Sequence, residues 1–496
     1  MAETASRGIA WAGIVNLVGG ATGSVIGLVL AAIVGRELGT DGAGTYFLVV
    51  AIFMIVSNVA ELGADTGLVR YVSAARATDR LGDVPHLVAI ATRPVLLVGA
   101  GVIGATGVAV LVAPDLVPGV SPGLVVAAAA LAVLSSMIAV MLAVSRGLGD
   151  VLSYPLLQNI ALPLARLAGV TGVVVLGGGS LAVLTAWMAP VPVVLALAAV
   201  VALLMTARRA GTVRPPRLPA SDRRRLSRDF WSFSATRGLS SGVEILLEWF
   251  DVILVGALTS AEEAGIYAVV TRCARAGEVI QQAARIAVGP QISGALARGA
   301  VDEARTIYGL VTAVMIWLAW PFFIVLAVFS DAVLSVFGSG FEDGALSLSV
   351  LSLSMGLATA AGTVQTILLM GGRSRWQLGD KSAALALNIA LNLVLVPLWG
   401  IEGAAVSWAV TILADTALVV YQVQHLMGVR PHGRHLWVSA ALSVGVVGTI
   451  AGTSRLVLGS SIAVLLATTA VAALVYVAVS VPLRHRLGLV ELLNHR

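Results

Sequence analysis

The chain has 496 residues, of which 58% are hydrophobic and only 11% charged, with a net charge of +5. Soluble domains carry about 25% charged residues, so this composition excludes a soluble enzyme and a nucleic-acid-binding protein with a solvated basic face. A single cysteine, Cys273, excludes an intrachain disulfide and a thiolate metal cluster.

The apolar residues come in blocks of roughly 20, long enough to cross a bilayer as helices and too uniformly apolar for barrel strands. The pattern predicts 14 spans, at about 9–34, 44–63, 87–112, 124–145, 155–176, 181–205, 232–258, 264–290, 306–329, 346–370, 377–398, 403–423, 437–456 and 460–482. No small-residue cleavage site follows a short apolar core at the start, so the first block reads as a retained span. Alternate loops and both tails collect 23 basic residues, among them Arg70, Arg76, Arg146, Lys381 and the run Arg223–Arg228, whereas the opposite loops hold only Arg36 and Arg455. By the positive-inside rule both termini are expected on the cytoplasmic side. The arginine run reads as a topology signal attracted to lipid headgroups.

The chain also repeats itself. Val34-Gly35 followed by Ala43-Gly44-Thr45-Tyr46 answers to Val255-Gly256 followed by Ala264-Gly265-Ile266-Tyr267. Further on, Leu148-Gly149-Asp150 answers to Leu378-Gly379-Asp380, and Asn159-Ile160-Ala161-Leu162 to Asn388-Ile389-Ala390-Leu391. The order and near-constant offset predict two six-helix lobes, 1–206 and 231–425. A basic cytoplasmic linker, 207–230, joins them, and two further helices and a tail, 426–496, are appended. Each lobe holds an even number of helices, so the repeats run parallel, an arrangement that puts a substrate path between transporter lobes.

Charges within the spans mark candidate sites, because an ionisable group in hydrocarbon is costly. Span 7 carries Arg237, Ser241, Glu244, Glu248 and Asp251 at steps of three and four, and span 8 carries Arg272, Arg275, Glu278, Gln282 and Arg285 at similar steps. Each set makes one helical stripe. If the two spans form a hairpin, Asp251 meets Arg272 and Glu248 meets Arg275. Glu244 then faces Glu278, where two carboxylates could share a proton, and Arg237 faces Arg285. The charges either neutralise one another within the lobe or line a wet cavity in which the arginines grip an anionic headgroup. Span 3 adds Arg93, near enough to its cytoplasmic end to snorkel. Arg166 lies deeper, in span 5, and reads as a cavity residue. Asp415, in span 12, is expected to pair with an arginine.

The run Val34-Gly35-Arg36-Glu37-Leu38-Gly39, continued by Gly67-Leu68-Val69-Arg70-Tyr71, resembles the opening of polysaccharide-export flippases. So do Asp251-Val252-Ile253-Leu254-Val255-Gly256, Gly289-Pro290-Gln291-Ile292-Ser293 and the turn Pro397-Leu398-Trp399-Gly400-Ile401-Glu402-Gly403-Ala404-Ala405. The resemblance covers spans 1–12. It implies an all-α integral membrane fold of the multidrug/oligosaccharidyl-lipid/polysaccharide superfamily, with two lobes around a V-shaped cavity and alternating access. It implies a polyprenyl-pyrophosphate-linked oligosaccharide as substrate, moved to the outer leaflet for cell-surface polysaccharide such as the O-antigen of lipopolysaccharide. Polymerases and glycosyltransferases of the same pathway would be its partners, and it would need no cofactor, with H+ or Na+ coupling left open. Arg93, Arg166, Arg237, Arg272, Arg275 and Arg285 are then the candidate pyrophosphate ligands, and Glu244, Glu248, Asp251 and Glu278 the acidic coupling or cavity residues.

Two readings of the same fold compete, a cation-coupled multidrug exporter and a lipid II flippase. A membrane-bound polymerase or ligase would need catalytic groups on an outer loop. The longest such loop, about 330–345, offers only Asp331, Glu342 and Asp343, so an enzyme is not expected.

Overall fold

The computed structural model describes residues 2–112, 120–210, 219–430, 433–488 and 491. Residues 211–218 of the expected linker, with Arg214 and Arg217, and Arg496 of the tail lie outside the described residues.

The described chain is helical throughout: α1 (Ala2–Glu61), α2 (Ala64–Ala77), α3 (Val84–Val112), α4 (Pro122–Gly147), α5 (Leu162–Val175), α6 (Ser180–Met188), α7 (Pro190–Ala210), α8 (Ala220–Leu258), α9 (Ala261–Arg275), α10 (Glu278–Ala297), α11 (Val301–Val328), α12 (Ser330–Leu334), α13 (Ala345–Thr359), α14 (Val364–Met370), α15 (Ser374–Tyr421), α16 (Arg434–Leu442), α17 (Thr449–Leu458) and α18 (Ile462–Leu483). Among the described residues, nine helices are long and apolar enough to cross a membrane, or ten if the bent pair Phe341–Thr359 and Val364–Met370 is one span. This is a multi-pass membrane protein. Two of the nine, Val15–Ala77 and Arg375–Leu426, each hold two expected spans, folded at Gly39 (φ 68°) and Gly400 (φ 56°). Glycine adopts these left-handed values without a Cβ clash. Expected spans 7 and 8, the two with charged stripes, are not among these nine helices.

Span 8 departs from expectation. It is not one helix but two, α9 and α10, broken at Ala276-Gly277. Gly277 is buried, and a Cβ there would lie 2.5 Å from Phe323 Cζ. The break admits the phenylalanine ring and interrupts the helical period, so the stripe is carried on two segments.

Contacts divide the chain into two compact units, residues 1–33 with 41–253, and residues 34–40 with 254–496. The division falls inside α8. The first part of that helix is bound into unit 1 by close backbone approach: a Cβ on Gly67 would fall 2.0 Å from Ser234 Oγ, and one on Gly63 2.4 Å from the Ser234 carbonyl. Tyr71 donates to the Asp229 carbonyl at 2.8 Å and Trp231 to that of Ile90 at 3.2 Å. Leu68, Val72, Leu87, Val95, Val140 and Phe230 fill the core beneath them.

Unit 2 takes in the short stretch 34–40. Arg36 Nε donates to the Val336 carbonyl at 2.6 Å, and Thr40 Oγ1 to Glu262 Oε1 at 2.7 Å. Gly35 sits so close to the Phe337 carbonyl that a Cβ would lie 2.4 Å from it. The appended helices α16–α18 pack on α11. Trp317 stacks on Tyr476 and donates to Ser480 Oγ at 2.9 Å, while Tyr476 donates to the Trp317 carbonyl at 2.9 Å. At the other end of the pair, Arg455 grips Asp331 through two bonds of 2.6 and 3.0 Å.

Candidate functional site

Each unit holds a polar cavity. That of unit 1 has a volume of about 270 Å³ and is lined by Asn58, Glu61, Asp65, Arg146, Tyr154, Gln158, Arg166 and Ser241, among others. Arg166 projects from α5. Its guanidinium lies 3.9 Å from the centre of the Trp187 ring and 5.7 Å from that of Phe53, and these two rings meet edge to face at 5.0 Å. An aromatic face attracts a cation without using its N–H donors. Accordingly Arg166 Nε has no hydrogen-bond partner among the described residues, nor have Asn58 Oδ1 and Gln158 Oε1. The side chain is therefore held in place with bonding capacity to spare.

The remaining charges of this cavity sit at helix ends. Glu61 closes α1, Asp65 lies in the first turn of α2 and Arg146 in the last turn of α4. Arg146 Nη2 is 3.5 Å from Asp65 Oδ2, a loose ion pair, and its guanidinium covers the Tyr154 ring at 4.3 Å. Glu61 lines the same cavity, so two carboxyl groups and two guanidinium groups face one space.

The cavity of unit 2 measures about 240 Å³ and is lined by Glu278, Gln281, Arg285, Gln365, Lys381 and Asp415, among others. Its lysine is ion-paired. Lys381 Nζ donates to Asp415 Oδ2 at 2.7 Å, an oxygen that also accepts from Gln365 Nε2 at 3.1 Å. Arg285 donates to Gln282 Oε1. Glu278 accepts from Arg275 Nε and Nη2 at 3.1 and 3.4 Å.

Of the expected site residues, Arg166 thus lines the cavity of unit 1, with Ser241 of the span 7 stripe, and Glu278 and Arg285 line that of unit 2. Arg93, Arg237, Glu244, Glu248, Asp251, Arg272 and Arg275 line neither. Arg93, Arg237 and Glu244 are exposed, Glu248 is half-buried, and Asp251 is buried. Half-buried Arg272 donates to the Ala268 carbonyl one turn back, at 3.1 Å. Two expectations need correction. Asp415 pairs with Lys381, not with an arginine. Lys381, read as a loop charge, lies within α15 and faces a cavity, because that helix starts at Ser374 and carries it two turns inward. The reading from sequence also missed Glu61, Asp65, Arg146 and Gln158.

The fold, two helical units each with a polar cavity, is shared by solved structures of transporters. The lipid II flippase MurJ in an inward closed conformation superposes with a TM-score of 0.66 at 10% identity, over 95% of this chain and 99% of that one. An inward-facing multidrug resistance transporter of the MATE family, in the multidrug/oligosaccharidyl-lipid/polysaccharide superfamily, gives 0.62 at 15% identity, over 84% and 99%. At such identities the likeness establishes the fold. The profile of the family described as polysaccharide biosynthesis protein matches residues 10–294, and the chain belongs to that family. A curated relative, the probable low-salt glycan biosynthesis flippase Agl15 of Haloferax volcanii, is 23% identical over 239 residues. The match takes in 47% of this chain and spans about half, 49%, of that relative's length. These relatives and fold neighbours are flippases and transporters, not enzymes.

Proposed function

We propose that the protein is a flippase that carries a polyprenyl-pyrophosphate-linked oligosaccharide from the cytoplasmic to the outer leaflet of the cell membrane. It works by alternating access, with both termini in the cytoplasm, and supplies cell-surface polysaccharide assembly such as that of O-antigen. The family and the name of the Agl15 relative support the glycan class. The observation that carries the reading is Arg166, a guanidinium fixed over Trp187 with its Nε unsatisfied in a polar cavity. A pyrophosphate presents oxygens at the spacing a guanidinium fork matches, and charge-assisted bonds to it are strong in a low-dielectric site.

In this reading Arg146 is the second ligand, released from its long contact with Asp65. Arg93, Arg237, Arg272, Arg275 and Arg285 guide the headgroup along its path. A gradient of H+ or Na+ drives the cycle through Glu61 and Asp65 and the acidic residues Glu244, Glu248, Asp251 and Glu278. The polymerase and glycosyltransferases of the pathway act on either side of it.

The test is reconstitution in liposomes with a lipid-pyrophosphate-linked oligosaccharide and a probe that reaches only the outer leaflet. Protein-dependent appearance of the glycan outside supports the flippase. Its absence, together with ion-dependent efflux of a cationic dye, replaces it by the multidrug exporter, and movement restricted to lipid II narrows it to that substrate.

A further inference from the structure

The chain contains 31 basic residues, and all but one are arginine. The single lysine, Lys381, sits inside a membrane-spanning helix with its side chain 20% exposed, against an Asp415 side chain that is 5% exposed. The two kinds of cation differ in shape. An ammonium is a compact point cation that accepts oxygen neighbours from several directions, whereas guanidinium is a flat fork. Where every other basic position takes the fork, position 381 takes the point charge.

The surroundings are those of a small cation. Asp415 Oδ2 accepts from Lys381 and Gln365, while its Oδ1 is buried without a hydrogen-bond partner among the described residues. Asp380, one residue before Lys381 and only 7% exposed, accepts from Gln422 Nε2 at 2.8 Å through Oδ1 and leaves Oδ2 buried and unpartnered. Thr363 Oγ1, on the cavity wall, is also buried without a partner. Burying carboxylates demands a compensating cation, and here the chain itself supplies one, on a flexible four-carbon stem.

We propose that the cavity of unit 2 is a monovalent-cation site whose resident cation is the Lys381 ammonium, so that an alkali-metal ion binds there only when that ammonium is withdrawn. The inference does not rest on the flippase reading. It removes the unit 2 cavity as a sodium site, so that Glu278 takes part in coupling only through H+, and leaves Glu61 and Asp65 of unit 1 for a sodium ion.

The experiment is thermal unfolding of the purified protein in sodium, potassium, methylammonium or choline chloride at equal ionic strength, together with radioactive sodium binding. Wild type is expected to show the same Tm in all four salts and no sodium binding that Asp415→Asn abolishes. Lys381→Ala is expected to gain a Tm that rises with sodium or methylammonium but not choline, as a ligand of the native state requires. Adding Asp415→Asn to that variant should remove the gain. If Lys381→Ala folds only when purified in sodium or methylammonium, that is the same positive result. A variant that folds and ignores all four salts, a variant that fails to fold in every one of them, or a wild type whose Tm rises with sodium and whose bound sodium is lost in Asp415→Asn would each overturn the proposal.

Discussion

The two cavities carry equal charge and use it differently. Each is lined by two acidic and two basic residues, Glu61, Asp65, Arg146 and Arg166 in unit 1 and Glu278, Asp415, Arg285 and Lys381 in unit 2. In unit 2 the lysine is bonded to a carboxylate at 2.7 Å and Arg285 to a glutamine oxygen. In unit 1 one arginine rests on an indole face and the other meets its carboxylate only at 3.5 Å. Net charge therefore does not identify an anion site. What counts is whether the cation's donors are already taken, because a guanidinium held by an aromatic ring is positioned and still unsatisfied, whereas an ion-paired ammonium has its partner already.

The contrast can be broken most severely in unit 2. Asp415→Asn leaves half-buried Lys381 without its partner and should destabilise the protein by about 3 kcal/mol, the low end for a buried pair. Lys381→Met combined with Asp415→Asn removes both charges and should recover most of that loss, and thermal unfolding of the three proteins measures the coupling. In unit 1 the largest effect is on binding. Arg166→Lys keeps the charge but loses the fork and should weaken substrate binding about tenfold or more, on the basis of roughly 1.5–3 kcal/mol for a charge-assisted bond. Titration with the lipid-linked pyrophosphate checks this, with Tm expected to change little.

A packing change sharpens the comparison by disturbing unit 1 without touching its charges. Gly67→Ala sets a methyl group against Ser234 Oγ and the Phe230 ring and should destabilise by about 1–3 kcal/mol, partly relieved by Ser234→Ala. The smallest effect is expected outside the membrane. Partial burial acts to raise the Asp331 carboxyl, but bonds from Arg455, Ser460 and the Ala332 amide outweigh it and hold the group below the usual carboxylate range. Its contribution is thus present at neutral pH and is lost only as pH falls below about 3.9 and through the lowered native value. Asp331→Asn should accordingly lower Tm slightly at pH 7 and not at all at the acid end.

The sequence carried the fold further than the site. Gly39 and Gly400 sit where the apolar blocks divide, so the spans could be separated even where the helices run on through a bend. Arg166 stood out as a lone cation in an apolar run. Glu61, Asp65 and Arg146 did not, because a charge at a helix end reads as a marker of the membrane surface, and only the tertiary packing turns those ends toward one cavity. Lys381 was hidden for the same reason, and its partner lies 34 residues away along the chain. The break at Gly277 left no trace in hydropathy, since what opens it is a phenylalanine from α11.

The central claim is that the anion grip lies in unit 1, and the leaflet-resolved flipping assay with Arg166→Ala and Arg285→Ala side by side tests it most directly. Removing the Arg166 guanidinium removes a charge-assisted bond to the pyrophosphate, so Arg166→Ala is predicted to flip the lipid-linked oligosaccharide at about a tenth of the wild-type rate or less. Arg285→Ala, which removes a guiding residue of the path and not the grip, is predicted to retain most of its rate. Wild-type flipping by Arg166→Ala, with the loss confined to Arg285→Ala, would contradict the claim.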